Sequence, residues 1–223
     1  VSDVIATPLN YSPGKKLPQE VLNSGDKFLY CVSTPNTYFA NIVEAINQSP
    51  QGTTISLCEG NFYPKGTEID KDLNFIGLGN GTILTDVEDK ILLFIKKGNV
   101  SFENLKFRGK KNELNGKLMD IYGLSIYNYD DVPPTVKIKN VTFENLAKGI
   151  LTSSNLDITN STFLNNDLSI DIFGAYSVNV SNSTFKNSKK GIFCERSAYN
   201  SLELNENYFE NVIRPIHLDI KFN

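Results

Sequence analysis

Six side chains near the end of the chain carry the types and spacing for joint chemistry. Asp171, Phe173, Phe193, Glu195, His217 and Asp219 fall eight or ten residues after a recurring phenylalanine. In a strand, offsets of equal parity share one face, so all six point outward together, with Arg196 at the edge. Rings beside carboxylates suit a sugar: ring faces stack on apolar C–H patches, and carboxylates accept hydrogen bonds from hydroxyls. Asp171, Glu195 and His217 are also the candidates for acid–base catalysis. Hydrolysis by two carboxylates requires them about 5–10 Å apart across the sugar bond. A second candidate surface is the segment around 110–134, with Tyr122, Tyr127, Tyr129, Asp130 and Asp131. Excursions from a rigid scaffold commonly carry binding residues.

The elements that must hold these residues are legible as an internal repeat. VSFENLKF, VKIKNVTF, LDITNSTF, VNVSNSTF and LELNENYF align without gaps on Phe107, Phe143, Phe163, Phe185 and Phe209, spaced 36, 20, 22 and 24 residues apart. Seven before each Phe stand Val100, Val136, Leu156, Val178 and Leu202; five before stand Phe102, Ile138, Ile158, Val180 and Leu204. The residues between are polar. Such period-two alternation marks strands with one buried face. Apolar columns repeated coil after coil are what a solenoid core requires. The reading is all-β: a right-handed parallel β-helix of coils about 20–24 residues long over 26–223. The first spacing holds one coil plus an insertion at about 110–134. Ile150, Ile170, Ile192 and Ile216 form a further inward column seven after the Phe, and Cys194 falls in another. TYFANIVEAINQ (37–48) has helical periodicity and predicts a short cap over the open first edge. Residues 1–25 lack periodicity and read as an extended arm or linker.

Three before the Phe stand Asn104, Asn140, Asn160 and Asn182. Strand parity carried to this position turns them inward, as an internal asparagine ladder hydrogen-bonded from coil to coil. The sequons at Asn140, Asn160 and Asn182 would then carry no glycan. Those at Asn10, Asn47, Asn80, Asn99 and Asn179 remain candidates, with Asn179 expected to be accessible.

Composition bounds the rest. The chain has 223 residues, a formal net charge of −3 and no clustered basic stripe, so no nucleic-acid partner is expected. No apolar run approaches the ~20 residues of a membrane span. It begins at Val1, which reads as a removed signal peptide or a piece of a longer chain. Cys31, Cys58 and Cys194 fit no zinc or Cys-x-x-Cys spacing, and a Cys31–Cys58 disulfide is expected between two N-terminal strands.

The segment ISLCEGNFYPKGTEIDKDLNFIGLGNGTIL resembles the start of pectin-lyase-like proteins, and IKNVTFENLAKGI and VSNSTFKNSKKGIF resemble generic β-helix coils of adhesin-like and carbohydrate-active proteins. The resemblance covers about 26–218 and implies the fold, not one activity. DIFGA (171–175) resembles part of the pectin methylesterase Asp-Phe-Ile-Phe-Gly motif, which would make Asp171 a nucleophile; one residue is missing, and the chain has no Trp for that family's Leu-Gly-Arg-Pro-Trp motif. The expected function is a secreted, cell-surface or virion-surface module that binds a polysaccharide, a glycoprotein surface or a neighbouring subunit. The alternatives are a carbohydrate-active enzyme and a viral or phage spike module. No cofactor is expected, and Ca²⁺ would enter only for a lyase.

Overall fold

The computed structural model describes residues 4–6, 38–39, 42–79, 81–85, 90–110, 118–129, 131–174, 177–195 and 201–219, with the backbone alone at 4–6, 38–39 and 195. Cys31, Asn10, Asn80, Asp130, Arg196 and the Glu195 side chain therefore lie outside the described residues.

β1 (Val4–Ala6), β2 (Tyr38–Phe39) and α1 (Ile42–Gln48) precede a winding series of strand triplets. The first are β3 (Thr53–Leu57), β4 (Gly60–Phe62) and β5 (Thr67–Ile69), then β6 (Leu73–Gly77), β7 (Thr82–Thr85) and β8 (Ile91–Ile95). Next come β9 (Asn99–Glu103), β10 (Lys106–Arg108) and β11 (Tyr122–Ile126), then β12 (Thr135–Lys139), β13 (Thr142–Glu144) and β14 (Lys148–Thr152). β15 (Asn155–Thr159), β16 (Thr162–Leu164) and β17 (Leu168–Phe173) follow, then β18 (Ser177–Ser181), β19 (Thr184–Lys186) and β20 (Lys190–Glu195). β21 (Ser201–Asn205), β22 (Tyr208–Glu210) and β23 (Arg214–Asp219) form the last coil. Corresponding strands pair in parallel, giving one nine-stranded and two seven-stranded sheets around a single core. This is the all-β parallel β-helix expected from the repeat.

The columns stack in the register the repeat implies. Val136 pairs with Val100 and Leu156, Phe143 with Phe107 and Phe163, and Ile170 with Ile150 and Ile192. The rings of Phe107, Phe143, Phe163, Phe185 and Phe209 form one stack with successive centroids 4.7–5.0 Å apart. Phe107 through Phe185 are fully buried. Where the third sheet begins, coils approach closely: a Cβ on Gly149 would lie 2.5 Å from the Ser169 carbonyl.

The asparagine column departs from expectation. Asn104, Asn140, Asn160 and Asn182 have φ of 49–58° and their side chains are exposed. A left-handed residue at a bend reverses the parity counted along the strand, so the amide points out and the next residue points in. Leu105, Val141, Ser161 and Ser183 are accordingly 1–5% exposed. One outer rung forms, Asn140 Nδ2 donating to Asn104 Oδ1 at 2.7 Å.

The internal polar ladder lies one residue on. Ser161 Oγ accepts from Val141 N, Ser183 Oγ from Ser161 N and Asn207 Oδ1 from Ser183 N. The next corner repeats the device: Asn166 Oδ1 accepts from Leu146 N, and Ser188 Oγ from Asn166 N.

Three further expectations change. The helix is α1 alone, because Tyr38–Phe39 pairs as a strand with β1. β1 also pairs with β3, so part of the segment read as an arm belongs to the first sheet and covers its edge. The presumed insertion contains β11, a regular third-sheet strand between β8 and β14. The extra length sits on either side of that strand, in the connections from β10 and to β12.

Cys58 is disulfide-bonded and Cys194 is a buried free thiol. Denatured, unreduced chain should therefore yield one reactive thiol and reduced chain three; three without reductant contradicts the bond. At the corner, Asn160→Gly should change stability by less than about 0.5 kcal/mol, whereas Asn160→Ala should cost about 1–2 kcal/mol in urea unfolding. Equal losses would contradict a role set by backbone conformation.

Candidate functional site

The outer face of the third sheet carries the candidate residues. Phe94, Ser125, Leu151, Asp171, Phe193 and His217 follow one another in register from β8 to β23. Phe173 lies beside Glu195, and Glu195 beside Asp219, in the neighbouring column. The two surfaces expected separately are one. Tyr122 opens β11 and reaches this face through Lys148, whose Nζ lies 5.3 Å from its ring centre, and Tyr127 follows the end of β11 with its ring among those of this face. The Tyr127 ring meets Phe173 edge-on at 5.3 Å, and stacks on Phe94 at 5.1 Å and Tyr129 at 5.8 Å. The contact between Tyr127 and Phe173 spans the intervening coil, which has only Ser153, just past the end of β14, in this column. Further along, Phe193 stacks on His217 at 4.8 Å. Asp219 is exposed on the last strand.

Asp171 does not stand free. Its residue is 7% exposed, and Oδ2 accepts a hydrogen bond from Lys148 Nζ at 2.6 Å. The same ammonium lies 5.3 Å from the Tyr122 ring centre. Burial is the largest influence on Lys148 and pushes its pKa down, but the hydrogen bond and charge of Asp171 outweigh it, and the pKa is raised. Burial, reinforced by Tyr129, raises the Tyr127 phenol. The Cys194 thiol is also raised, by burial and then by the charge of Asp171. Tyr122, Tyr127, Tyr129, Lys148 and Asp171 thus form one electrostatic cluster. Ser125 Oγ lies at its floor, fully buried and without a hydrogen-bond partner.

Lys148, Phe94 and Ser125 are absent from the sequence-derived set. Lys148 could have been found, since Lys190 and Arg214 occupy the same column of later coils. Phe94 lies on β8, in a coil that has Leu84 where the aligned repeats have Phe. Among the described residues no three His, Cys, Asp or Glu side chains gather as a metal site. Nor is any helix there long and apolar enough to cross a membrane.

The sequons sort by geometry. Asn47 and Asn99 are exposed. Asn179, expected to be accessible, is half-buried, with Nδ2 donating to Asp157 Oδ1 at 3.0 Å. Asn140, Asn160 and Asn182, expected inside, are outside.

A family model described as a right-handed β-helix region matches residues 79–219. A search of curated proteins finds no match.

Lys148→Met leaves the Asp171 carboxylate buried without its cation and should destabilise the fold by about 1–3 kcal/mol. The folded pKa of Lys148 is raised, so the pair's contribution is full below the ordinary lysine value of 10.5 and fades as pH rises through the folded value. The difference between wild type and Lys148→Met in urea midpoints should therefore stay level from about pH 6 to 9 and narrow only in more alkaline solution. A difference already narrowing below that range would contradict the pairing.

Proposed function

Since the chain belongs to the right-handed β-helix family, we propose that it is a secreted or surface-displayed module that binds saccharide on the outer face of its third sheet. The fold itself supports a carbohydrate-related or surface role in general terms. The observation that carries the finer reading is the junction of Tyr127 with Phe173 beside the Lys148–Asp171 pair.

Stacking of this kind needs rings fixed in place. Phe173 is the last residue of a six-residue strand, and Phe94 sits near the end of β8. Both are therefore held by the sheet. Tyr127 is braced by three neighbouring rings, and Tyr129, 65% exposed, is the ring most open to a partner. The ion pair supplies donors and an acceptor close by, which is what sugar hydroxyls require.

A binding role accounts for this arrangement better than hydrolysis. Asp171 Oδ2 is already occupied by Lys148 Nζ at 2.6 Å and its side chain is 11% exposed, so the carboxylate is held by the fold itself. Leu151 and Phe193 are its neighbours in the column on either side, so the adjacent coils place no carboxylate directly beside it.

A glycan array followed by calorimetry on the best ligand tests this. Tyr127→Ala and Phe173→Ala should each weaken binding by about 2–10-fold, the equivalent of one aromatic contact. Lys137→Ala, on the outer face of the first sheet, should leave it unchanged. Binding that survives both aromatic substitutions at full strength refutes the assignment to this face.

A further inference from the structure

A cleft of about 410 Å³ opens at the corner between the first and second sheets, in the early coils. Glu59 of the first coil stands on one side of it and Asn104 and Asn140 on the other, with Gly77, Leu78 and Gly79 of the second coil between them. Coil geometry accounts for the opening. The turn from β6 to β7 takes four residues, 78–81, where later coils use two. It is drawn toward the first coil: Leu78 N donates to Leu57 O at 2.8 Å, Gly60 N to Gly81 O at 2.9 Å and Thr82 Oγ1 to Cys58 O at 2.9 Å. The third coil returns to the two-residue corner at Asn104, so the two corners diverge.

The outer asparagine ladder breaks at the same place. One step beyond the Ile76–Glu103 pair, the strand register puts Gly77 in the asparagine column, one coil before Asn104. No side chain fits there, because a Cβ on Gly77 would lie 2.0 Å from the Asn104 carbonyl oxygen. Asn104 Oδ1 already accepts from Asn140 Nδ2. Its own Nδ2 keeps two N–H donors that no described residue accepts. The ladder thus presents unused amide donors at the cleft. Across from them, Glu59 is exposed and joins none of the ion pairs among the described residues. Gly79 seats it: a Cβ there would lie 2.3 Å from Glu59 Cγ and 2.4 Å from its Oε1. Leu78, half-buried, adds an apolar surface between the two polar walls.

We propose that this cleft binds an N-acetylated amino sugar, whose acetamido group supplies the rung that the chain lacks. The acetamido carbonyl accepts from Asn104 Nδ2, in place of the side-chain amide that Gly77 cannot provide. Its methyl group packs on Leu78, and the sugar hydroxyls donate to the Glu59 carboxylate. A volume of a few hundred Å³ is that of a small-ligand site. An extended peptide suits the cleft less well. Backbone N–H groups at this corner are engaged between coils, Asn104 N with Lys139 O and Thr142 N with Leu105 O, which removes main-chain pairing of the kind that peptide recognition uses. The proposal does not depend on the saccharide reading of the third sheet, which concerns another face and works through rings.

Titration of isotope-labelled chain with N-acetylglucosamine, glucose and N-methylacetamide, followed by amide chemical shifts, tests it. N-Acetylglucosamine should shift the signals of Gly77, Gly79 and Asn104. Glucose lacks the acetamido group and N-methylacetamide lacks the hydroxyls, so each should bind about 3–10-fold more weakly, the equivalent of one hydrogen bond. Asn104→Gly keeps the left-handed backbone and removes the amide, and Glu59→Gln removes the charge; each should weaken N-acetylglucosamine by a similar factor. Asn182→Gly, in the same column two coils beyond the cleft, should leave binding unchanged, and so should Tyr127→Ala. Cleft signals that do not move up to the solubility limit of the sugar overturn the proposal. So does glucose binding as tightly as N-acetylglucosamine. N-Methylacetamide binding as tightly also overturns it, and marks a surface for peptide amides instead. Shifts lost in Tyr127→Ala and kept in Asn104→Gly overturn it too, and place the sugar on the third sheet.

Discussion

The corner between the first and second sheets turns on a single residue with φ near +50 to +58°, and the placement of every other side chain depends on that bend. A left-handed residue is sterically costly for most side chains; Asn tolerates it because its short amide can bond locally. The sharp reversal lets five-residue and three-residue strands follow each other with only two residues, such as Asn140 and Val141, between them. It also leaves backbone N–H groups inside the corner, and these need acceptors. Ser161, Ser183 and Asn207 supply them, each hydroxyl or amide receiving the N–H of the coil before. Asn166 and Ser188 do the same at the next corner, where Asn145, Asn165, Asn187 and Asn211 are again left-handed. Polar groups in this core are thus a consequence of its bends.

The same bend separates what the sequence discloses from what it does not. Alternation within a strand is a local rule, so the Val, Ile and Phe columns could be read without error. Alternation across a left-handed residue is not, and counting through Asn160 assigns it to the wrong side. A different difficulty hid β11. Its Leu124 pairs with Ile150, but it lies seventeen residues after Phe107 where later coils allow seven. Without the pairing, a strand flanked by longer connections looks like one long excursion. That misreading split one aromatic face into two, since Tyr127 was assigned to the excursion and Phe173 to the sheet. Lys148 was missed for another reason. Its column carries a recurring cation, Lys190 and Arg214 in later coils, but Leu168 interrupts it, and the column lies outside the offsets counted from the Phe.

The corner also explains the abundance of glycosylation signals. The left-handed position selects Asn, the next residue faces inward, and the one after begins a strand, where a β-branched Thr is favoured. Asn140-Val141-Thr142, Asn160-Ser161-Thr162 and Asn182-Ser183-Thr184 each satisfy those three demands in turn. The sequon is therefore the spelling of the bend. Its recurrence at one-coil spacing reflects backbone geometry and gives no information on the compartment in which the chain works.

The Lys148–Asp171 pair is harder to explain by folding alone. Pairs of this kind commonly return little stability, because desolvating both charges offsets their attraction. Leu151, directly below Asp171 in the column, is itself only 8% exposed, so an apolar side chain at the position of Asp171 would be accommodated on this face. On the other sheets, Lys139–Glu103 and Lys186–Glu210 have side chains 35–61% exposed. Glu144 of the second sheet is as buried as Asp171, 12% against 11% exposed at its side chain, but it is shared by two cations, Arg108 and Lys106. The third sheet puts this charge under aromatic cover, and the buried Ser125 hydroxyl, without a hydrogen-bond partner, lies two strands away in the same column. A polar group left unsatisfied and a desolvated carboxylate both oppose folding. Their retention beneath Tyr127 and Phe173 is the pattern expected where a site is shaped for something other than the stability of the coil.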